Sequence, residues 1–282
     1  MRWAVYASTA ALLWSTIGIV YKLSLSAGAH ASWLILGRPA LGGLASLSVI
    51  AITRHRPGKW SFIIGFFSLG PLFVLYLKAI EYIGAGLAAI LLYTAPIWVV
   101  LLGPLLSEPV KLLGYLAALL GFLGIVLISL PSVSVGQYIG LLYGLGSGLS
   151  YAAYMLLAKL ASRRGASVAE TGLHSLLYAS IMVAIVVHPV TKPNSSDIIG
   201  ILYLGLFTMI IPYLLHVRAL AITDAYKVAI MSLLEPVGAI LLAHIILHEN
   251  LALVQIIGSI IVLLSAALVL LEQEAPRDNH IQ

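Results

Sequence analysis

Apolar residues run along this chain in long blocks separated by short polar knots. The blocks lack the strict alternation of a half-buried strand, and they are too long for one. A helix that crosses a bilayer needs about 20 mostly apolar residues. Ten blocks meet that length: 4–24, 31–53, 61–83, 85–106, 112–130, 137–160, 170–189, 198–221, 226–247 and 251–271. The connections leave no room for a soluble domain. Two of the boundaries rest on very little chain, Gly84 to Gly86 and Thr223 to Ala225, and each of these must serve as a complete turn. The pattern predicts an all-α membrane protein of ten spans. Ala27-Gly28-Ala29, behind the first block, has the form of a signal-peptide cleavage site. The apolar stretch before it exceeds a usual signal core and Lys22 interrupts its end, so the segment is read as the first span.

Composition narrows the class. Of 282 residues, 61% are hydrophobic and 9% charged, against about 45–50% and about 25% in soluble domains. The mean hydropathy is +1.08. So little charge cannot cover a soluble surface, which excludes a cytosolic enzyme. The net charge is +5, but the basic residues fall in scattered loops rather than in a stripe with interleaved aromatics, so no nucleic-acid partner is expected. There is no cysteine, which removes disulfides, thiolate metal sites and thiol nucleophiles together. The basic residues do carry orientation. With ten spans both ends share one side. That side holds Arg2, Arg54, Arg56, Lys59, Lys111, Lys159, Arg163, Arg164, Lys227 and Arg277, with Arg218 just inside it, against Lys22, Lys78 and Lys192 on the other. The termini are therefore expected in the cytoplasm, in a multi-pass protein of the cell (inner) membrane, with a polar tail from Glu272 to Gln282.

The chain also resembles itself. Residues 77–106 lie over 217–246 with identities at Ala79/Ala219, Ala85/Ala225, Ala89/Ala229, Ile90/Ile230, Pro96/Pro236, Leu101/Leu241 and Leu102/Leu242, and Lys78 lies over Arg218. Pro71 and Pro212 stand 141 residues apart, as do Glu108 and Glu249; Trp14/Tyr151, Lys22/Lys159 and Gly28/Gly165 recur at 137. The reading is two halves, 1–135 and 136–282, of five spans each. An odd number of spans places the second copy upside down, the inverted-repeat plan of secondary transporters, with the substrate site near the midplane. Pro71 and Pro212 interrupt spans 3 and 8, and Pro96 and Pro236 interrupt spans 4 and 9. Paired interruptions point to the transport path, although membrane helices tolerate proline in general.

On these residues the chain resembles the drug/metabolite transporter superfamily, of the type with two EamA repeats. The likeness is carried by Trp14 and Lys22 in span 1, Arg38 in span 2, Leu77 to Pro96 at the passage from span 3 to span 4, and Glu108. In the second half it is carried by Tyr213, Ala219, Leu220, Leu234-Glu235-Pro236, Glu249 and Gly258. It covers nearly the whole chain. The resemblance implies a secondary carrier with a central cavity between the halves, in a family where many members export amino acids and other small metabolites. One departure is visible, since Ala95 stands where the second half has Glu235.

A charge at membrane depth is costly and marks function by default. Glu235 lies near the middle of span 9, and Arg38 about 10 Å below the end of span 2. They can pair and simply lock two helices. Alternatively Arg38 holds a substrate carboxylate while Glu235 faces an ammonium group, as a zwitterion requires. Glu235 is otherwise the proton site of a proton-coupled antiporter. Lys78 and Arg218 lie near helix ends, where snorkelling suffices, yet they border the paired prolines and qualify as gate charges. Trp14, Tyr93, Trp98, Tyr151, Tyr154 and Tyr213 are deep aromatics that need hydrogen-bond partners, and they are read as cavity lining, with ordinary packing as the alternative. Trp3, Tyr6, Trp33, Trp60, Tyr82, Tyr138 and Tyr226 fit an interfacial belt. His174, His216 and His244 sit one or two turns from span ends and are read as structural. Gly140, Gly144 and Gly148 form a close-packing stripe. No metal site or cofactor is expected, because no ligand spacing of the His-Glu-x-x-His kind occurs.

Among functions, an intramembrane enzyme lacks a catalytic motif and a channel lacks a polar lining or charged ring. A purely structural protein needs no paired kinks. The reading is a carrier working by alternating access, monomeric or homodimeric, with spans 3, 4, 8 and 9 rocking about Pro71, Pro96, Pro212 and Pro236. Its partners are the lipid bilayer and a small-molecule substrate, with amino-acid export favoured over a sugar, nucleotide-sugar or cationic drug.

Overall fold

The computed structural model describes residues 1–54, 56–133 and 137–272. The expected boundary between the halves at 135–136 and the tail with Arg277 lie outside the described residues. Helix dominates, and among the described residues there is no strand. The helices are α1 (Arg2–Ser15), α2 (Ile17–Ser26), α3 (Ala31–Thr53), α4 (Lys59–Ile64), α5 (Gly70–Leu92), α6 (Ala95–Leu102) and α7 (Leu112–Ser129), followed by α8 (Tyr138–Arg163), α9 (Ser175–Val186), α10 (Ser195–Gly205), α11 (Ile211–Ile222), α12 (Ala225–Met231), α13 (Leu234–Leu247) and α14 (Leu253–Leu271).

Among the described residues nine helical stretches are long and apolar enough to cross a membrane, with Ala95–Leu106 as a shorter apolar piece. The difference from the expected ten lies at Gly84. Lys59–Leu92 runs 34 residues, about 50 Å of helix against a hydrocarbon core of about 30 Å. Its ladder is broken inside by Gly84, at φ 73 and ψ 164, a conformation essentially reserved for glycine. The turn expected of three residues is made by one. At the other thin boundary, Thr223 is fully extended (φ −140, ψ 177) between α11 and α12.

The expected prolines all mark breaks. A wide π turn, Gly65–Leu69, precedes Pro71 at the start of α5, and another, Leu206–Ile210, precedes Pro212 at the start of α11. In each turn a hydroxyl bonds back to the carbonyl four residues earlier, Ser68 to Ile64 and Thr208 to Leu204, both at 2.6 Å. Non-helical turns at Tyr93-Thr94 and Ser232-Leu233 precede Pro96 and Pro236. Four of the six positive-φ residues recur in pairs as well, Gly28 (φ 89) with Gly165 (φ 83) and Ser107 (φ 58) with His248 (φ 56), while Arg54 and Gly84 stand alone among the described residues. Pro39, which has no counterpart among the paired prolines, sits inside α3 directly after Arg38.

Small residues set the tightest helix contacts. On α8, Gly140 faces Tyr82 and Ile83, Gly144 faces Leu91, and Gly148 meets the Leu91 carbonyl and the Thr94 hydroxyl. Gly124 of α7 and Gly258 of α14 lie backbone to backbone. Polar knots tie the loops into two separate ends. At one end Arg164 stacks on Trp60 (5.6 Å), Glu170 accepts from the Trp60 amide (3.2 Å), Glu108 pairs with Arg163 and Lys111 with Glu272. At the other, His30 and Asn194 converge on Asp197, Trp33 donates to the Thr191 carbonyl (2.8 Å), and Lys22 meets Glu249. Three aromatics assigned to an interfacial belt are instead buried in protein: Trp3, Trp60 and Tyr226. Tyr226 donates its hydroxyl to Glu272, 2.7 Å away.

Candidate functional site

Each helix that reaches the middle of the bundle contributes side chains at helical spacing. Phe73 and Tyr76 on α5, Tyr151 and Tyr154 on α8, and Tyr213 and His216 on α11 are each three apart, so each pair shares one face. α1 adds Trp14, α3 adds Arg38, Tyr93 ends α5, and the turn between α12 and α13 brings Ser232 beside Glu235. Trp14 packs edge-on against Tyr213 (5.3 Å) and lies 5.1 Å from the His216 ring. Tyr154 stacks on His216 at 5.6 Å and on Tyr151 at 6.2 Å, and Phe73 meets Tyr213 at 6.1 Å.

The buried polar atoms of this cluster are satisfied in a chain. Ser232 spends its hydroxyl hydrogen on the Val228 carbonyl (3.0 Å) and lies 3.1 Å from His216 Nε2; Tyr154 Oη is 3.3 Å from Nδ1. The neutral imidazole with its proton on Nε2 then donates to Ser232 and accepts from Tyr154, which satisfies all three groups.

Arg38 is held from one edge. Its Nε donates to Thr208 Oγ1 and its Nη2 to the Thr208 carbonyl, both at 2.9 Å. The same carbonyl accepts from Trp14 Nε1 at 3.0 Å. In a regular helix this carbonyl would take the amide hydrogen four residues later, but that residue is Pro212, which has none. The proline break in α11 thus supplies the acceptor that orients both Arg38 and Trp14. Two of the five guanidinium N–H groups are occupied in this way, and among the described residues no hydrogen bond engages the far edge, which faces Glu235.

Glu235, in the first turn of α13, faces Arg38 and the Tyr93 hydroxyl. The two charges act on each other through space, yet no direct ion pair joins them. Both keep part of their surface accessible although protein surrounds them. An opposed, separated pair of charges at this depth is costly to hold. A ligand with one charge of each sign would relieve it.

Of the residues expected here, Arg38, Glu235, Trp14, Tyr93, Tyr151, Tyr154 and Tyr213 converge. Trp98 does not join the ring cluster and bonds instead to Thr94 at the start of its own helix, 3.1 Å. Lys78 pairs with Glu81 on its own helix at 2.7 Å, and Arg218 is exposed, so the structure brings neither gate charge to the site. Sequence reasoning missed His216, Ser232, Thr208, Tyr76 and Phe73. His216 had a signal in its three-residue spacing from Tyr213, and Thr208 in lying four residues before Pro212.

An all-helical chain of apolar spans, whose interior holds opposed charges and an aromatic wall, is built as a multi-pass membrane transporter and not as an enzyme. The chain belongs to the EamA-like transporter family, which matches residues 1–130 and again 138–271. It is 29% identical to an uncharacterized transporter of Archaeoglobus fulgidus over 188 residues, 67% of this chain and 68% of that one. It is also 27% identical to the protein PecM of Dickeya dadantii, over 75% of this chain and 72% of PecM, and 29% identical to an uncharacterized transporter of Synechocystis over 79% and 70%. A solved crystal structure, 19% identical, shares the fold with a TM-score of 0.79 over 94% of this chain and 95% of the other.

Proposed function

We propose that the protein is a secondary carrier that exports amino acids or similar zwitterionic metabolites across the cell (inner) membrane by alternating access. In this reading ten spans form two inverted halves of five, both termini are cytoplasmic, and the site lies between the halves. The break at Gly84, which divides Lys59–Leu92, supports the tenth span. The recurring π turns, prolines and positive-φ residues support the repeat. One observation carries the choice of cargo: Arg38 and Glu235 oppose each other across the interior without closing on each other. Arg38 receives the carboxylate on its free edge, Glu235 receives the ammonium, and the rings of Trp14, Tyr151 and Tyr213 enclose the remainder.

The test is counterflow in proteoliposomes with a panel of labelled amino acids, with and without a pH gradient. Exchange without a gradient, abolished in Glu235→Gln, is the expected outcome. Arg38→Lys should weaken apparent affinity about 10- to 100-fold, since a hydrogen bond to a charged group contributes about 1.5–3 kcal/mol. Transport that follows the gradient while Glu235→Gln still exchanges cargo would make Glu235 the proton site. Silence across the panel from folded protein would sink the amino-acid reading and turn the search to sugars and cationic drugs.

A further inference from the structure

The two ends of the bundle are fastened by the same device. At one end Lys22, near the end of α2, meets Glu249, just past α13. At the other Arg163, the last residue of α8, meets Glu108, which follows the short turn after α6, at 2.9 Å. Lys22 and Arg163 are 141 residues apart, and so are Glu108 and Glu249. Each glutamate directly follows a left-handed residue, Ser107 (φ 58) or His248 (φ 56), that swings the chain away from the end of its helix. The glutamates are therefore repeat images of each other, while Arg163 stands one turn past Lys159, the repeat image of Lys22. In both, a cation from the first span of one half reaches a carboxylate just past the fourth span of the other half.

The two pairs differ in surroundings. The Glu108 side chain is 6% exposed and that of Arg163 44%. Glu108 also accepts from the Ala225 amide (3.3 Å), and Arg163 also donates to the Ser107 carbonyl (2.9 Å). Lys22 and Glu249 are 62% and 48% exposed. Beside them a cavity of about 230 Å³ opens between α2 and α13, bounded by Ser15, Gly18, Ala239 and Ala243. Ser15 adjoins Trp14 and Ala239 is one turn from Glu235, so the helix stretches that bound this cavity are the ones that carry two residues of the charged site. A water-exposed ion pair is screened and easily parted, whereas a buried one with extra hydrogen bonds is strongly held.

We propose that Lys22–Glu249 and Arg163–Glu108 are the two gates of the carrier, released in alternation, and that in this structure both pairs are made, with the more exposed Lys22–Glu249 pair poised to part first. The inference rests on the carrier reading but needs no knowledge of the cargo. The Coulombic hold that must be released at one end has a counterpart at the other, so parting one pair can be offset by keeping the other closed.

The chain has no cysteine, so single reporters can be placed without altering the background. Ala239→Cys reports the cavity at the Lys22 end, and Ala225→Cys reports the chain behind Glu108. In intact vesicles, a membrane-impermeant thiol reagent should label Ala239→Cys from the Lys22 side and leave Ala225→Cys protected. Adding Glu108→Gln should raise labelling of Ala225→Cys about tenfold from its own side and lower that of Ala239→Cys, an opposed change that a mere staple would not give. Adding Glu249→Gln should do the reverse. Arg163→Lys, which keeps the charge, should retain protection where Arg163→Gln loses it, which separates gating from damage to the fold. Unchanged labelling in variants that elute as folded protein, or a rise at both reporters together, overturns the proposal. Opposed labelling changes without amino-acid exchange would support the gates and remove only the cargo. Exchange with labelling and rate indifferent to all four charges would remove only the gates.

Discussion

Thr208 is the residue on which most of the site depends, though its own side chain is small and faces no cargo charge. Its hydroxyl hydrogen goes to Leu204, its hydroxyl oxygen takes Arg38 Nε, and its carbonyl takes Arg38 Nη2 and Trp14 Nε1. Thr208→Val keeps the branched shape and removes one of the two acceptors that aim the guanidinium. Apparent affinity for an amino-acid cargo should fall about 3- to 10-fold, the loss of a hydrogen bond of about 1 kcal/mol, with the maximal exchange rate and the melting temperature nearly unchanged. A large drop in melting temperature would assign Thr208 to the scaffold and not to Arg38. The charged pair itself was legible in the sequence, because Arg38 and Glu235 stand alone in apolar surroundings. Thr208 and Ser232 were not. A hydroxyl in a membrane helix ordinarily bonds to its own backbone, and nothing in the residue itself tells which one also holds a neighbour.

Among the elements, the breaks carry more information than the helices. The prolines at 71, 96, 212 and 236 predicted interruptions, and each coincides with a π turn or a non-helical step. The merging of Lys59–Leu92 was not legible, because hydropathy counts residues and Gly84 alone breaks the helix, with no polar turn to mark it. That position offers a direct test. Gly84→Ala places a side chain at φ 73 and ψ 164 and should cost about 1–3 kcal/mol, read as a lowered melting temperature in detergent. Gly18, within α2, borders open space, with no neighbouring atom within 4 Å of where a methyl group would stand, so Gly18→Ala should not destabilise and should gain up to about 1 kcal/mol of helix propensity. Equal effects would show that the φ of Gly84 is not what the fold requires. The stripe Gly140, Gly144 and Gly148 was also legible and does pack α8 against α5. The belt assignment failed at Trp3, Trp60 and Tyr226 because nearness to a span end says nothing of the sideways neighbour, which here is protein.

For the whole molecule, the bias of basic residues fixes an expected orientation. A cysteine replacing Lys111 should label from the cytoplasmic side of intact cells and one replacing Lys192 from the opposite side; the reverse pattern would overturn the expected orientation. The family and the helical class were readable from the chain alone. The meeting of residues from helices far apart in the chain was not, since only the packed bundle brings Trp14, Arg38, Tyr151, Tyr213 and Glu235 together. That meeting also bears on how the protein is made. Arg38 finds its hydrogen-bond partner 170 residues further along the chain. At a synthesis rate of about 5–20 residues per second, the guanidinium waits about 10–30 s before Thr208 exists. During that interval α3 carries a charge with no acceptor from α10, α11 or α13. The first half of the chain therefore reaches the membrane with a charge whose hydrogen-bond partner belongs to the second half, so the lasting place of Arg38 is settled only when the late helices pack.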